Sequence, residues 1–169
     1  MDALHYTPVF DVLDPGYRPW LAPTLVGAAV TTFALIFARI AHRRIPSTST
    51  RTSKIVDASV ALLVFMAIMT PAISVWDFAR AYSTLRSGSA LYVEGTVAHF
   101  NPMPSRPRGR ESFEVTGVMF HYSEHEITGF HQTVRSGGPI HEGLPVHIWY
   151  MDAGHQRGNE ILKLEVAGN

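Results

Sequence analysis

Trp20-Leu-Ala-Pro-Thr-Leu-Val-Gly-Ala-Ala-Val-Thr-Thr-Phe-Ala-Leu-Ile-Phe-Ala38 and Ala58-Ser-Val-Ala-Leu-Leu-Val-Phe-Met-Ala-Ile-Met-Thr-Pro-Ala-Ile-Ser-Val-Trp76 are two uncharged runs of 19 residues each. A helix needs roughly 20 apolar residues to cross the hydrocarbon core of a bilayer. Between the runs, residues 39–54 carry Arg39, Arg43, Arg44, Arg51 and Lys54 and no acid. Basic residues are retained on the cytoplasmic side of a membrane, and Trp favours the interface. Trp20 opens the first run and Trp76 closes the second, so a hairpin puts both at one face and the arginines at the other. The pattern predicts a two-helix membrane hairpin over 19–76, with loop 39–54 cytoplasmic and both ends of the chain outside. Arg18, Arg80 and Arg86 on the outer side are outnumbered.

The runs are set apart by the distribution of apolar residues, not their total. Of 169 residues 46% are hydrophobic, which is ordinary, and 17% are charged, but none of the charge falls within the runs. A soluble domain of this size can seldom bury two such helices. The formal net charge is zero, so no global field points to nucleic acid. No cysteine is present, which removes disulfides, thiolate zinc sites and thiol nucleophiles. The basic cluster follows the first run, opposite to a secretory signal, so the run reads as an uncleaved anchor.

Within the hairpin, Gly27 and Thr31, then Ala34 and Ala38, give pairs of small residues four apart, which fits packing on the second span and also admits contact between copies. Thr70-Pro71 predicts a kink, and Asp57 a cap near the loop end of the second span. Pro19 and Pro23 suit a helix start. Residues 1–18 read as a polar lead with a turn at Asp14-Pro15-Gly16. Residues 77–89 read as a juxtamembrane helix, with Phe78, Ala81, Tyr82 and Leu85 on one side, ending in a hinge at Ser87-Gly88-Ser89.

From residue 90 onward the period becomes two. Leu91, Val93 and Val97 face one way, as do Phe113 and Val115. Thr116-Gly117 marks a tight turn into Val118, Phe120 and Tyr122. Val146, Ile148 and Tyr150 alternate, and so do Leu162, Leu164 and Val166. Five short strands over 90–169 predict a small all-β barrel of the oligonucleotide/oligosaccharide-binding (OB) or SH3-like kind. The loops 101–110 and 123–143 are long enough to be functional.

This domain resembles a group of uncharacterised bacterial two-pass membrane proteins. The likeness rests on Val93-Glu94-Gly95-Thr96-Val97 with Phe100 and Pro102-Met103-Pro104, and on Glu111-Ser112-Phe113-Glu114-Val115-Thr116-Gly117-Val118 with Phe120 and Tyr122-Ser123. Gly129-Phe130, Gly137-Gly138-Pro139-Ile140 and Glu142-Gly143 complete it. The plan is also similar to the NfeD-like proteins, which join membrane helices to an OB barrel and partner stomatin-type proteins. The resemblance implies a bacterial membrane protein and supplies no activity to carry over; the basic loop is what puts the domain on the periplasmic or extracellular side of the inner membrane.

For the outer domain the leading expectation is non-enzymatic binding of a protein partner or an envelope polymer. Alternation turns Met119, His121, His147 and Trp149 outward, and if their strands are neighbours they form one aromatic–imidazole patch. The blander alternative packs Trp149 under loop 123–143 or on the juxtamembrane helix. Arg106 and Arg108 give the first long loop its basic character. Seven of nine histidines lie in this domain, so a zinc or copper site using His121, Glu124, His125, His131 and His141 is the competing expectation. His121 and His125 are four apart, but at a strand end or in a loop that spacing does not align ligands as it would on a helix, and no His-Glu-x-x-His motif occurs. A third reading makes the hairpin a small subunit of a larger membrane complex. No Gly-x-Ser-x-Gly elbow or phosphate loop is present.

Overall fold

The two apolar runs form α1 (Leu21–Arg44) and α2 (Thr50–Arg86) in a computed structural model that describes residues 5–44, 50–103, 109–154 and 158–168. Both helices are long and apolar enough to cross a membrane, and only 11% of each candidate span is buried. Phe33, Leu25 and Trp76 are among the exposed side chains. Residues 18–77 make one compact unit, and residues 1–17 with 78–169 make another.

Within the helical unit the contact is made by small residues. Ala34, Ala67 and Ser74 are buried. Pro71 lies inside α2, which continues through it. Proline has no N–H, so the carbonyl of Ala67 loses its helical partner. Gly27 of α1 lies against that same oxygen, and a Cβ there would overlap it. Small residues let backbones approach closely in lipid, and here the approach covers the one carbonyl that Pro71 strips of its donor. Thr31 Oγ1 donates to Gly27 O (2.9 Å) and Ser74 Oγ to Thr70 O (3.2 Å), so these hydroxyls are satisfied within their own helices. Asp57, expected near a helix cap, lies about two turns inside α2, because the helix begins at Thr50.

The second unit is a seven-stranded mixed sheet. After α2 come β2 (Leu91–Thr96), β3 (Ala98–Asn101), β4 (Glu111–Val115), β5 (Val118–Tyr122), β6 (Pro145–Asp152) and β7 (Asn159–Ala167). The strand order is β2-β6-β7-β5-β4-β3, and the hydrogen-bonded ladder does not close. All neighbours are antiparallel except β5 and β7, joined by a single parallel pairing at Phe120 and Asn159. Four of the five expected strands are β4 to β7. The fifth is divided at Val97 into β2 and β3.

The seventh strand, β1 (Tyr6–Asp11), comes from the stretch that reads as a polar lead, and it pairs antiparallel with β7. Pro8 and the acidic turn hide it in the sequence. Pro8 is tolerable because β1 is an edge strand with a register irregularity beside that residue. Val12 N–H to Leu162 O (3.0 Å) and Gly168 N–H to His5 O (2.8 Å) extend the pairing at each end.

The main core lies inside the curved sheet and holds Phe113, Val115, Phe120, Tyr122, Val146, Ile148, Ile161 and Leu164. The expected alternation fails at two places. Leu91 is exposed. Leu162 leaves the phase of Leu164, because Trp149 pairs with Lys163 and Tyr150 with Ile161, so Leu162 is a bulge residue with no partner opposite it on β6. It turns to the other face and forms a second core with Val12, Ala81 and Met151, against which Phe78, Leu85 and Tyr17 pack. The helical side expected for Phe78, Ala81 and Leu85 is thus buried on β6 and β7. Ser87-Gly88-Ser89 closes α2: Ser89 N–H bonds Thr84 O (3.1 Å), Gly88 N–H bonds Leu85 O (3.2 Å), and Gly88 is left-handed at φ 72°. That is the Schellman arrangement, and only glycine enters it without cost.

Candidate functional site

β6 sends Val146 and Ile148 into the core and His147 and Trp149 to the opposite face. The register then fixes their neighbours. Tyr92 of β2 and Lys163 of β7 stand opposite Trp149, and Glu94 and Glu165 stand opposite His147. Two cross-strand rows result, Tyr92–Trp149–Lys163 and Glu94–His147–Glu165. Directly opposed side chains on a sheet face are close enough to interact.

In the first row, Tyr92 packs on Trp149 with ring centroids 4.9 Å apart, and Lys163 Nζ sits 4.5 Å over the Trp149 ring. Lys163 Nζ also meets Glu165 Oε1 at 2.7 Å. In the second row, His147 Nδ1 lies 3.5 Å from Glu165 Oε2, and Nε2 lies 3.8 Å from Glu94 Oε2. Tyr92 donates its phenol proton to Glu94 Oε2 at 2.6 Å. Tyr6 of β1 stacks on His147 at 3.6 Å with 15° between the rings.

These contacts shift two groups. The hydrogen bond from Lys163 holds the Glu165 carboxyl below its ordinary value, with His147 adding to the effect against partial burial. Partial burial and the Glu94 carboxylate push the Tyr92 phenol up to about 12. At neutral pH the Tyr92 phenol therefore stays un-ionised, and around it the face combines Glu94, Glu165, Lys163, His147, Trp149 and Tyr6. Such a set suits recognition through ring faces and charge.

Met119 and His121 stand elsewhere. They are on β5, opposite Glu114 and Ser112 of β4, and β7 separates β5 from β6. Both are exposed, but they do not share the His147–Trp149 surface. The ring partners of Trp149 are Tyr92 and Lys163 on the flanking strands. Arg106 and Arg108 lie outside the described residues. The alternation expected for β2 and β7 already turns Tyr92, Glu94, Lys163 and Glu165 outward. What the sequence does not reveal is that β2 and β7 flank β6, or that Tyr6 reaches over from a strand before α1.

The five candidate metal ligands are not gathered into a group of three that could hold a metal ion. His121 is exposed on β5. Glu124 accepts a hydrogen bond from Thr133 Oγ1, and the His125 N–H is bonded to Ser123 Oγ (3.2 Å). His131 Nδ1 is 3.2 Å from Gly129 O, and His141 Nδ1 is 2.9 Å from Glu142 O. Among the described residues no three histidine, aspartate or glutamate side chains are placed to hold a metal ion.

A second polar cluster lies under loop 123–143. Glu111 is 1% exposed. Its carboxylate accepts from Tyr122 Oη (2.6 Å), from Val134 N–H (3.0 and 3.1 Å) and from Met103 N–H (3.4 Å). Burial and this carboxylate push the Tyr122 phenol upward. One side chain therefore ties β4 to β5, to the short 3-10 helix Val134–Ser136 and to the start of the first long loop. Its role is to pin loops, since a buried carboxylate needs this many donors merely to be tolerated.

No protein family, curated protein or solved structure matches the chain.

Proposed function

We propose that this chain is a two-span membrane protein of the bacterial inner membrane. It displays an OB-like binding module on the extracytoplasmic side for a protein partner or an envelope polymer, and it is not an enzyme. The observation that carries the reading is the pairing of β1 with β7. β1 precedes the first apolar helix and β7 follows the second. Two strands of one sheet must lie on one side of a bilayer, so the number of crossings between them is even. The basic loop 39–54 then favours the cytoplasm for the hairpin's turn and the outside for the sheet.

The OB-like character draws support from strand order. If β2, Val97 and β3 are counted as one bent strand, the path β3-β4-β5-β7-β6-β2 begins and ends on it. Thr116 Oγ1, from the β4–β5 turn, donates to Glu94 O of β2 at 2.9 Å, across the gap that closure would seal. An OB barrel is partly open and of this size. The NfeD-like plan is consistent with that arrangement, and function is not carried over from it.

The binding surface is the face of Tyr92, His147 and Trp149, with Met119 and His121 as a separate exposed pair. Aromatic side chains are enriched where proteins recognise partners. Affinity capture with the full-length chain in detergent tests the reading: Tyr92→Ala with Trp149→Ala is expected to lose a partner that the parent retains. Undiminished capture by the double variant would remove this surface from the proposal.

A further inference from the structure

The Trp149 surface already holds one cation of its own. Lys163 places its ammonium 4.5 Å over the indole and 2.7 Å from the Glu165 carboxylate. An aromatic face beside a carboxylate binds a cation through the ring quadrupole and the opposite charge together. One strand over, Tyr92 and Glu94 repeat the pair. Tyr92 is 46% exposed, and the Glu94 side chain is 66% exposed. Among the described residues, the basic group beside Glu94 is the His147 imidazole at 3.8 Å, shared with Glu165. With Lys163 balancing Glu165, Glu94 is the uncompensated charge of the face when His147 is neutral.

We propose that the open Tyr92–Glu94 pair receives a lysine or arginine side chain from an extended segment of a protein partner. This deepens the binding reading above and rests on it. The incoming cation lies against the Tyr92 ring and the free side of the Glu94 carboxylate, beside the Trp149 indole that Tyr92 touches. Charge complementarity selects the occupant, because a neutral ligand gains nothing from Glu94 that water does not supply. Because Glu94 is so exposed, the contact is screened by salt.

The test uses full-length protein in maltoside micelles with Trp20→Phe and Trp76→Phe, which leaves Trp149 as the only indole. The probes are acetyl-(Gly-Arg)4-amide, its (Gly-Glu)4 counterpart and chitotetraose. The expected result is a saturable change in Trp149 emission with the arginine peptide alone, weakened by raised salt. Its affinity should fall by about tenfold in Glu94→Gln and in Tyr92→Ala, the scale of one partly exposed cation–π and ion-pair contact. Glu114→Gln should leave it unchanged. Glu94→Gln alters an exposed side chain and keeps an acceptor for the Tyr92 phenol, so it tests charge without threatening the fold. Equal affinity in parent and Glu94→Gln would overturn the proposal. So would a response to chitotetraose and not to the peptide, although that result would leave the surface itself standing. Silence toward all three probes, with partner capture intact in the Tyr92→Ala, Trp149→Ala variant, would overturn both.

Discussion

Single residues in the sheet unit divide into those that hold loops and those that face outward. Glu111 belongs to the first kind. Replacing it by alanine leaves the buried Tyr122 hydroxyl without an acceptor, at about 1–3 kcal/mol, and frees the part-buried Val134 N–H at a smaller cost. We expect Glu111→Ala to lower stability by about 2–4 kcal/mol. Glu111→Gln, which keeps one acceptor oxygen, should cost less. Thermal melting of the full chain checks both, and a melt unchanged in Glu111→Ala would mean that the loop is held by other contacts. Glu165 belongs to the second kind, and its depressed value sets a pH dependence. A carboxyl lowered on folding stabilises the protein fully above its ordinary value of about 4.5 and loses that contribution as pH falls through the lower, folded-state value. The melting temperature should therefore fall on acidification from pH 5 toward pH 3. In Lys163→Met, which removes the largest cause of the shift, that fall should be shallower. Equal slopes would show that the Lys163–Glu165 pair contributes nothing in solution. None of these partnerships was legible in the sequence. Glu111 reads as one more acid on a wet strand until loop 123–143 is seen lying over it.

At the scale of elements, the apolar helices were legible because bilayer length and charge exclusion leave a one-dimensional signature. The strands β4 to β7 were legible because a half-buried strand alternates with period two. Two elements escaped for physical reasons. β1 has Pro8 in its middle, so although Tyr6, Thr7, Val9 and Phe10 are strand formers, no clean alternating run marks it. The bulge at Leu162 is invisible because local sequence does not say which residue of a strand will lack a partner. The helix pair adds a contact that spacing alone half-announced. Small residues at Gly27 and Thr31 signalled close approach, but the reason lies on the other helix, where Pro71 deprives Ala67 O of its donor. Any side chain at Gly27 overlaps that oxygen. Gly27→Val should therefore force α1 and α2 apart and destabilise the helical unit by about 1–3 kcal/mol, the usual cost of overpacking. It should leave the sheet's own contacts intact. Hydrogen exchange resolved by segment distinguishes these outcomes: faster exchange confined to residues 21–77 is expected, and unchanged rates there would mean that the helices do not pack through Gly27.

For the whole molecule, the decisive relation joins the two ends of the chain. The sequence reading of orientation used the basic loop and the tryptophans at the far ends of the spans, and both are statistical preferences. The β1–β7 pairing is a different kind of constraint, since it makes the side of the N-terminal segment and the side of the sheet one and the same. The chain has no cysteine, so single cysteines report position without background. Leu13→Cys and Ile127→Cys place thiols at exposed positions before α1 and within the sheet unit. In intact cells both should react with a membrane-impermeant maleimide, and to similar extents. Ser47→Cys, in the basic loop, should react only after permeabilisation. The three positions separate the steps of the argument. If Leu13→Cys and Ile127→Cys disagree, β1 cannot belong to the sheet in the membrane-inserted protein, and the Tyr6–His147 stack goes with it. If they agree but are shielded while Ser47→Cys is open, the strand pairing survives and the orientation drawn from the arginines is reversed, which would move the proposed partner to the cytoplasm. If all three react in intact cells, the apolar runs do not cross the bilayer, and two greasy helices, each only 11% buried over its candidate span, would need a protein partner in place of lipid.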